Sequence, residues 1–108
     1  MSRHRKNRQH IIKSTTYDRR GRIIATAYNS FSRTHPIQAK LAAKVGQPAR
    51  IFLHSEINVI LKSRGRKIYK LVVERYDSLG NSKNACPCKI CQEMIRISGI
   101  ERVEYTVG

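Results

Sequence analysis

Two cysteines three residues apart, at the start of a predicted helix, constrain this chain more than any other feature. Cys88 and Cys91 follow Pro87, and apolar residues recur at helical intervals behind them until Gly99. Side chains at this spacing share one face of a helix, and the helix N-terminus favours their thiolate form. Two thiolates on one face suit zinc, which normally takes four ligands. The fold must therefore bring at least one more ligand to this helix.

A third cysteine, Cys86, lies two residues before the pair. Three cysteines are odd in number, and their crowding argues against a disulfide framework and for a metal or reactive site. We interpret Cys86 as a small apolar residue beside that site. Its use as a fourth zinc ligand stays open as the alternative.

The segment His54-Ser55-Glu56 supplies what the cysteine pair lacks. His54 opens another predicted helix, in which apolar residues recur at helical spacing before a glycine. A histidine there can be the third protein ligand, and Glu56 can reach a water in the fourth position. Zinc lowers the pKa of such a water towards about 7, and a nearby carboxylate can take its proton and later deliver it to a leaving ammonia. We predict zinc ligation by His54, Cys88 and Cys91, with Glu56 catalytic.

The remaining pattern predicts a β-hairpin, a helix, and two later strands on either side of the cysteine helix. The first helix is expected to be capped by Thr34 and to end at Gly46. Helices that alternate with strands near the C-terminus imply parallel pairing in a layered α/β sheet. The strands are predicted at residues 11–17, 22–29, 67–76 and 102–107, with a loop over 77–85.

The two motifs together resemble the signature of the cytidine deaminase-like superfamily, H-x-E followed by P-C-x-x-C. The resemblance covers residues 11–107 and looks closest to small phage and bacterial deaminases of the deoxycytidylate type. It implies a three-layer α-β-α fold with a mixed sheet that starts with an antiparallel hairpin. Many relatives add a fifth strand and a terminal helix, so the fold is expected to be shortened at the C-terminus and to have four strands.

The resemblance also implies substrate contacts. Ala27-Tyr28-Asn29 resembles a Gly-aromatic-Asn triplet whose Asn hydrogen-bonds the substrate nucleoside, so Asn29 is expected to do so. Ser55 stands where Ala or Val is usual, and it keeps the backbone N–H that these enzymes aim at the base. The loop after Asn29 adds two candidates for base stacking and phosphate binding, Phe31 and Arg33.

Charge points to an anionic partner. The 108 residues carry 22 Lys and Arg against 7 Asp and Glu, a net charge of +15. Phosphates reward many dispersed cations through counterion release, so a nucleotide or single-stranded nucleic acid is the expected partner. The length fits one domain, predicted at residues 11–108 behind a basic arm at 1–10. No segment resembles a secretory signal or a membrane span, which predicts a cytoplasmic protein without a membrane partner.

The prediction that combines these features is a zinc-dependent hydrolytic deaminase, with one Zn²⁺ per chain, that converts cytosine to uracil in a nucleotide or single-stranded nucleic acid. Deamination of adenine in tRNA or DNA is the alternative within the enzyme class. A nucleic-acid-binding module with a structural zinc is the alternative outside it. Self-association into a homo-oligomer through exposed pocket edges is a further expectation.

Overall fold

The computed structural model describes residues 11–108. The strand β1 (Ile11–Tyr17) lies in the interior of the sheet. Its β-branched residues favour a pleated, half-buried surface. It pairs antiparallel with β2 (Ile23–Tyr28) on one side and with β3 (Lys70–Tyr76) on the other. The predicted hairpin is therefore confirmed. The predicted basic arm, residues 1–10, lies outside the described part of the chain.

The far side of β3 carries two short strands. Its C-terminal end pairs antiparallel with β4 (Ser82–Lys83), and its N-terminal half pairs parallel with β5 (Arg102–Tyr105). The parallel pairing and the mixed sheet are confirmed. The count of four strands is wrong, because two residues of the predicted loop over 77–85 fold back onto β3 as β4.

Two turns with the same design connect the antiparallel strands. The Asp18 carboxylate accepts hydrogen bonds from the backbone N–H groups of Arg20 and Arg22, both at 2.9 Å, and Gly21 adopts φ 82°. In the β3–β4 turn the Asp77 carboxylate likewise accepts from two backbone N–H groups ahead of it. An aspartate that bonds its own turn, followed by a glycine at positive φ, is a strong local signal for chain reversal.

Three helices complete the fold: α1 (Pro36–Lys44), α2 (Ser55–Lys62) and α3 (Lys89–Ser98). The predicted cap Thr34 is wrong by one residue, because the His35 ring accepts the hydrogen bond from the Ile37 N–H and Pro36 takes the first helical position. Helix α3 ends at Gly99, as predicted, and the structure shows that Gly99 adopts the left-handed conformation.

The core lies between the sheet and the helices. Helix α2 contacts β1 and β2, and α3 contacts both α2 and α1. Ile57 from α2, Leu71 and Val73 from β3, and Ile90 from α3 are fully buried in one cluster. Among residues 11–108, no helix is long and apolar enough to cross a bilayer. This packing brings the N-terminal ends of α2 and α3 together.

Neighbouring residues of β3 test where the core lies. Leu71 is fully buried, whereas Val72 points to the opposite side of the sheet and is half-buried. We expect Leu71→Ala to lower the free energy of unfolding by about 2–5 kcal/mol, because it leaves a cavity in the core. Val72→Ala should cost less, about 1 kcal/mol. Urea unfolding of the zinc-loaded variants measures both losses, and equal losses would contradict the placement of the core.

Candidate active site

A histidine and two cysteines meet where α2 and α3 begin. His54 is the N-cap of α2 and Cys88 the N-cap of α3, while Cys91 lies in the first turn of α3. The His54 Nδ1 atom lies 3.3 Å from the Cys91 sulfur and 3.5 Å from the Cys88 sulfur. These three ligand atoms all lie within 4.8 Å of one another. The sequence-predicted triad is thus brought together.

The donor set fits zinc in both composition and charge. One imidazole nitrogen and two sulfurs are characteristic zinc ligands, and three protein ligands leave a fourth position open. A hydrogen bond with the Cys91 thiol and another with His54 lower the pKa of Cys88 to about 3, against the opposing effect of burial. The partner thiol responds in the opposite direction, since the bond to Cys88 and burial raise the pKa of Cys91. The Cys88 sulfur is therefore a thiolate at neutral pH and can bind a cation.

Cys86 lines the same cavity as His54 and Cys88 but is not part of the triad. It does not belong to the cluster formed by His54, Cys88 and Cys91 within residues 11–108. Its sulfur interacts instead with the Tyr105 hydroxyl, an interaction that raises the pKa of that tyrosine. The backbone N–H of Cys86 is held by Asn84 at 2.8 Å. The geometry favours a zinc site that keeps an open position over one closed by a third sulfur as the fourth ligand.

Glu56 is buried beside the triad, with 6% of its surface exposed. Burial raises the pKa of its carboxyl, because the charged form loses hydration, while His54 and a hydrogen bond from Ser55 act in the opposite direction. A carboxyl with a raised pKa suits a group that must both accept and release a proton near neutral pH. Glu56 also lies in the first turn of α2, where the helix dipole favours its negative form.

A chain of buried hydroxyls holds Glu56 in place. The Ser55 hydroxyl donates to the Glu56 carboxylate at 3.1 Å, so the Ser14 hydroxyl, 2.8 Å from Ser55, must donate to Ser55. Ser14 and Ser55 are both fully buried. A second buried pair, Thr16 and Ser63 at 2.7 Å, joins β1 to the other end of α2. Strand β1 is therefore bonded to both ends of the helix that carries Glu56.

The triad opens into a cavity of about 380 Å³, within the range of small-molecule sites. Asn29, Phe31 and Ser55, three predicted substrate contacts, line it together with His54, Glu56 and Cys88. Arg33 does not line this cavity; its backbone pairs with Leu53. Cys86 also lines it, beside the site as predicted. The remaining lining residues were not predicted: Ile12, Ser30, Arg50, Phe52, Arg75, Asn84 and Ala85.

Two of these unpredicted residues have an identifiable signal. Arg50 and Phe52 lie in the segment that leads to the zinc ligand His54, four and two residues before it. Their closeness to this ligand in the sequence is the signal, because side chains just before a metal ligand can reach the cavity beside it. Buried Gln38 fixes that segment, since its amide donates to the Arg50 carbonyl at 3.1 Å and accepts from the His54 N–H at 3.2 Å. Arg75 is placed only by the pairing of β3 with β1, opposite Ile12. Nothing local in the sequence indicates that contact.

Asn29 has a structural bond as well as a place in the cavity. Its side-chain oxygen accepts a hydrogen bond from the Ile12 N–H at 3.0 Å, and its own N–H donates to the Ile12 carbonyl. The residue therefore closes the β1–β2 pairing at the cavity wall. Phe31 and Phe52 are about half exposed at 53% and 48%, which leaves their rings accessible at the cavity mouth.

The comparison with protein families agrees with this geometry. The family described as cytidine and deoxycytidylate deaminase zinc-binding region matches residues 1–107. The chain belongs to that family, and the mixed α/β architecture is consistent with the cytidine deaminase-like fold. His54, Cys88 and Cys91 form the zinc site, and within residues 11–108 it is the only such cluster of ligand side chains. A comparison with curated proteins returned no match.

The zinc content of two cysteine variants tests the ligand set. We expect Cys88→Ser to purify with a small fraction of one zinc per chain, because it removes one of three ligands. Cys86→Ser should retain one zinc per chain, because its sulfur faces Tyr105. Metal analysis by mass spectrometry measures both. A Cys86→Ser protein as depleted as Cys88→Ser would show that Cys86 is a ligand.

Removal of the Ser14 hydroxyl tests the hydrogen-bond chain to Glu56. We expect Ser14→Ala to keep zinc and KM and to lower kcat about two- to tenfold, the equivalent of one net hydrogen bond. Thr16→Val is the matched control, because it removes the buried hydroxyl at the other end of α2. Thr16→Val should lower the free energy of unfolding by about 1 kcal/mol, as Ser14→Ala does, and should leave kcat unchanged. Equal effects on kcat would contradict a positioning role for Ser14.

Proposed function

We propose that this protein hydrolyses the exocyclic amine of cytosine to give uracil and ammonia, in a nucleotide or a single-stranded nucleic acid. The observation that carries the proposal is the buried Glu56 beside the His54, Cys88 and Cys91 triad at a cavity of about 380 Å³. Structural zinc sites are closed by four protein ligands, whereas this triad has three ligands and adjoins a cavity that a buried carboxyl also lines. The family match supports the same reaction class.

The reaction consumes one water and breaks the bond between cytosine C4 and its amine. Zinc with three protein ligands and an open position supplies the Lewis acidity that makes water nucleophilic near neutral pH. Glu56 would accept one proton of the attacking water and pass it to ring N3, and would then take the second proton of that oxygen and deliver it to the departing amine, which leaves as ammonia. The Ser14 and Ser55 hydroxyls keep the carboxylate aimed at these atoms.

The cavity wall offers groups that recognise a nucleotide. The N–H of Ser55, the first residue of α2, has no acceptor within its own helix and is available to the base. Phe31 and Phe52 offer aromatic faces for stacking, which tolerates any base. Arg50 and Arg75 bring positive charge to the same cavity and suit a phosphate. Asn29, which lines the cavity, contacts the nucleoside in this proposal.

Replacement of Glu56 separates the enzyme from a structural zinc protein. We expect Glu56→Gln to retain one zinc per chain and to lower the rate of ammonia release by about 10²–10⁴, the range for loss of a general acid–base group. A structural zinc protein would lose neither metal nor function with this change. Ammonia release and zinc content, measured on the same preparation, distinguish the two. Undiminished ammonia release by Glu56→Gln would contradict the proposed role.

The product identifies the base. The zinc-loaded protein is incubated with cytidine, deoxycytidylate, adenosine, tRNA and single-stranded DNA and RNA, and uracil and inosine are quantified by mass spectrometry. We expect uracil from one or more cytosine substrates. Inosine without uracil would replace this proposal by the adenine alternative.

We also propose that the protein acts in the cytoplasm and forms a homo-oligomer. Sedimentation at several concentrations tests the oligomeric state.

A further inference from the structure

A second basic surface lies at the end of the sheet opposite the zinc site. Strand β1 begins at Ile11, beside the cavity, and ends at Tyr17, where the β1–β2 turn starts. Six steps along a strand span roughly 20 Å. The cations at this far end come from the β1–β2 turn and from the segment after α2. We call them the distal basic surface: Arg19, Arg20, Arg22, Arg64, Arg66 and Lys67.

The fold brings these two basic segments into contact. Asp18 holds Arg22 at 2.9 Å and lies 3.9 Å from Arg66, so one carboxylate joins the turn to the segment after α2. Arg19 is held by Glu101 at 2.9 Å and lies over the Tyr69 ring at 4.8 Å. Side chains from both segments line one cleft of about 300 Å³, which adjoins another of about 400 Å³ through two shared residues.

The distal basic surface keeps an excess of positive charge. Its six cations face two carboxylates, those of Asp18 and Glu101. Within residues 11–108, Arg20, Arg64 and Lys67 form no ion pair, and all three are exposed. Like charges held this close repel one another, and phosphates relieve that repulsion with release of counterions. A cleft between cations suits a chain of phosphates better than one isolated anion.

We propose that the distal basic surface binds the phosphate backbone of a single-stranded nucleic acid whose target base occupies the zinc cavity. The identification of that strand as substrate rests on the proposed function. A nucleic-acid strand that reaches both the zinc cavity and the distal basic surface covers roughly 20 Å, or about six nucleotides at 3.4 Å each. Longer oligonucleotides therefore gain affinity from this surface, and mononucleotides do not.

Binding of labelled oligonucleotides tests the proposal without turnover. The full-length, zinc-loaded protein is titrated against a 15-nucleotide and a 3-nucleotide single strand, and fluorescence anisotropy gives the dissociation constants. The variant R20Q/K67Q removes one cation from each segment. The control K40Q/K44Q removes the same number of cations from α1, whose residues do not line either cleft, although Lys44 is ion-paired with Glu93.

We expect R20Q/K67Q to bind the 15-nucleotide strand about tenfold more weakly and to lower the slope of log K against log salt by about 1.4, which is two phosphate contacts at 0.7 each. Its affinity for the 3-nucleotide strand should not change, and the control should change either affinity less than about twofold. Equal losses in the control and in R20Q/K67Q would overturn the proposal. Displacement of the 15-nucleotide strand by polyglutamate of the same charge would also overturn it, because any anionic polymer would then suffice.

Kinetics separate this inference from the proposed function. We expect R20Q/K67Q to lower kcat/KM on the 15-nucleotide substrate and to leave kcat/KM on a mononucleotide unchanged. Failure to deaminate any substrate would reject the proposed function, while the anisotropy result would still decide whether the surface binds nucleic acid. Normal deamination with unchanged binding by R20Q/K67Q would reject the distal surface alone.

Discussion

The approach of the His54 ring to the Cys88 and Cys91 sulfurs is the contact on which the rest of the structure depends. It joins the start of α2 to the start of α3. Cys88 follows His54 by 34 residues along the chain, and Cys91 follows it by 37. Helix N-termini carry partial positive charge, so they favour the thiolates that zinc needs. A metal held there ties the two helices together and, because it has three protein ligands, keeps a position for chemistry.

The placement of Glu56 depends on β1 as much as on α2. Two buried hydroxyl pairs join these elements, Ser14 with Ser55 near the site and Thr16 with Ser63 at the other end of the helix. A buried hydroxyl is costly unless it is bonded, so each pair specifies one position of the helix on the strand. The Glu56 carboxyl is thereby held in place by hydrogen bonds that reach outside the His54-Ser55-Glu56 motif.

The zinc triad was predictable from sequence because its chemistry is local. A helix start places Cys88 and Cys91 on one face, and His54 precedes a second helix whose apolar spacing is regular. The serine at position 55 was visible in the sequence as well. Its place in a hydrogen-bond chain became clear only in the structure, where Ser14 of β1 bonds Ser55 and Ser55 donates to Glu56. The cavity residue Arg75 likewise depends on strand register, which no local pattern specifies.

Most strands were predictable for the same reason, since β-branched runs and an Asp-to-Gly turn act within a few residues. Strand β4 was missed because two residues in a polar loop carry no pattern, and their pairing with β3 supplies the stabilisation. The cap of α1 was missed because an imidazole nitrogen can accept the bond that a threonine hydroxyl usually accepts. The contact between two basic segments around Asp18 required the folded chain, although each segment was visible in the sequence.

The zinc site is expected to have one nitrogen and two sulfurs from the protein and an open fourth position. X-ray absorption at the zinc edge of the full-length protein tests it most directly. We expect two sulfurs at about 2.3 Å, one imidazole nitrogen at about 2.0–2.1 Å and one further oxygen at a similar distance. Three sulfurs and one nitrogen would contradict it, because that site would be closed and Glu56 would have no water to activate.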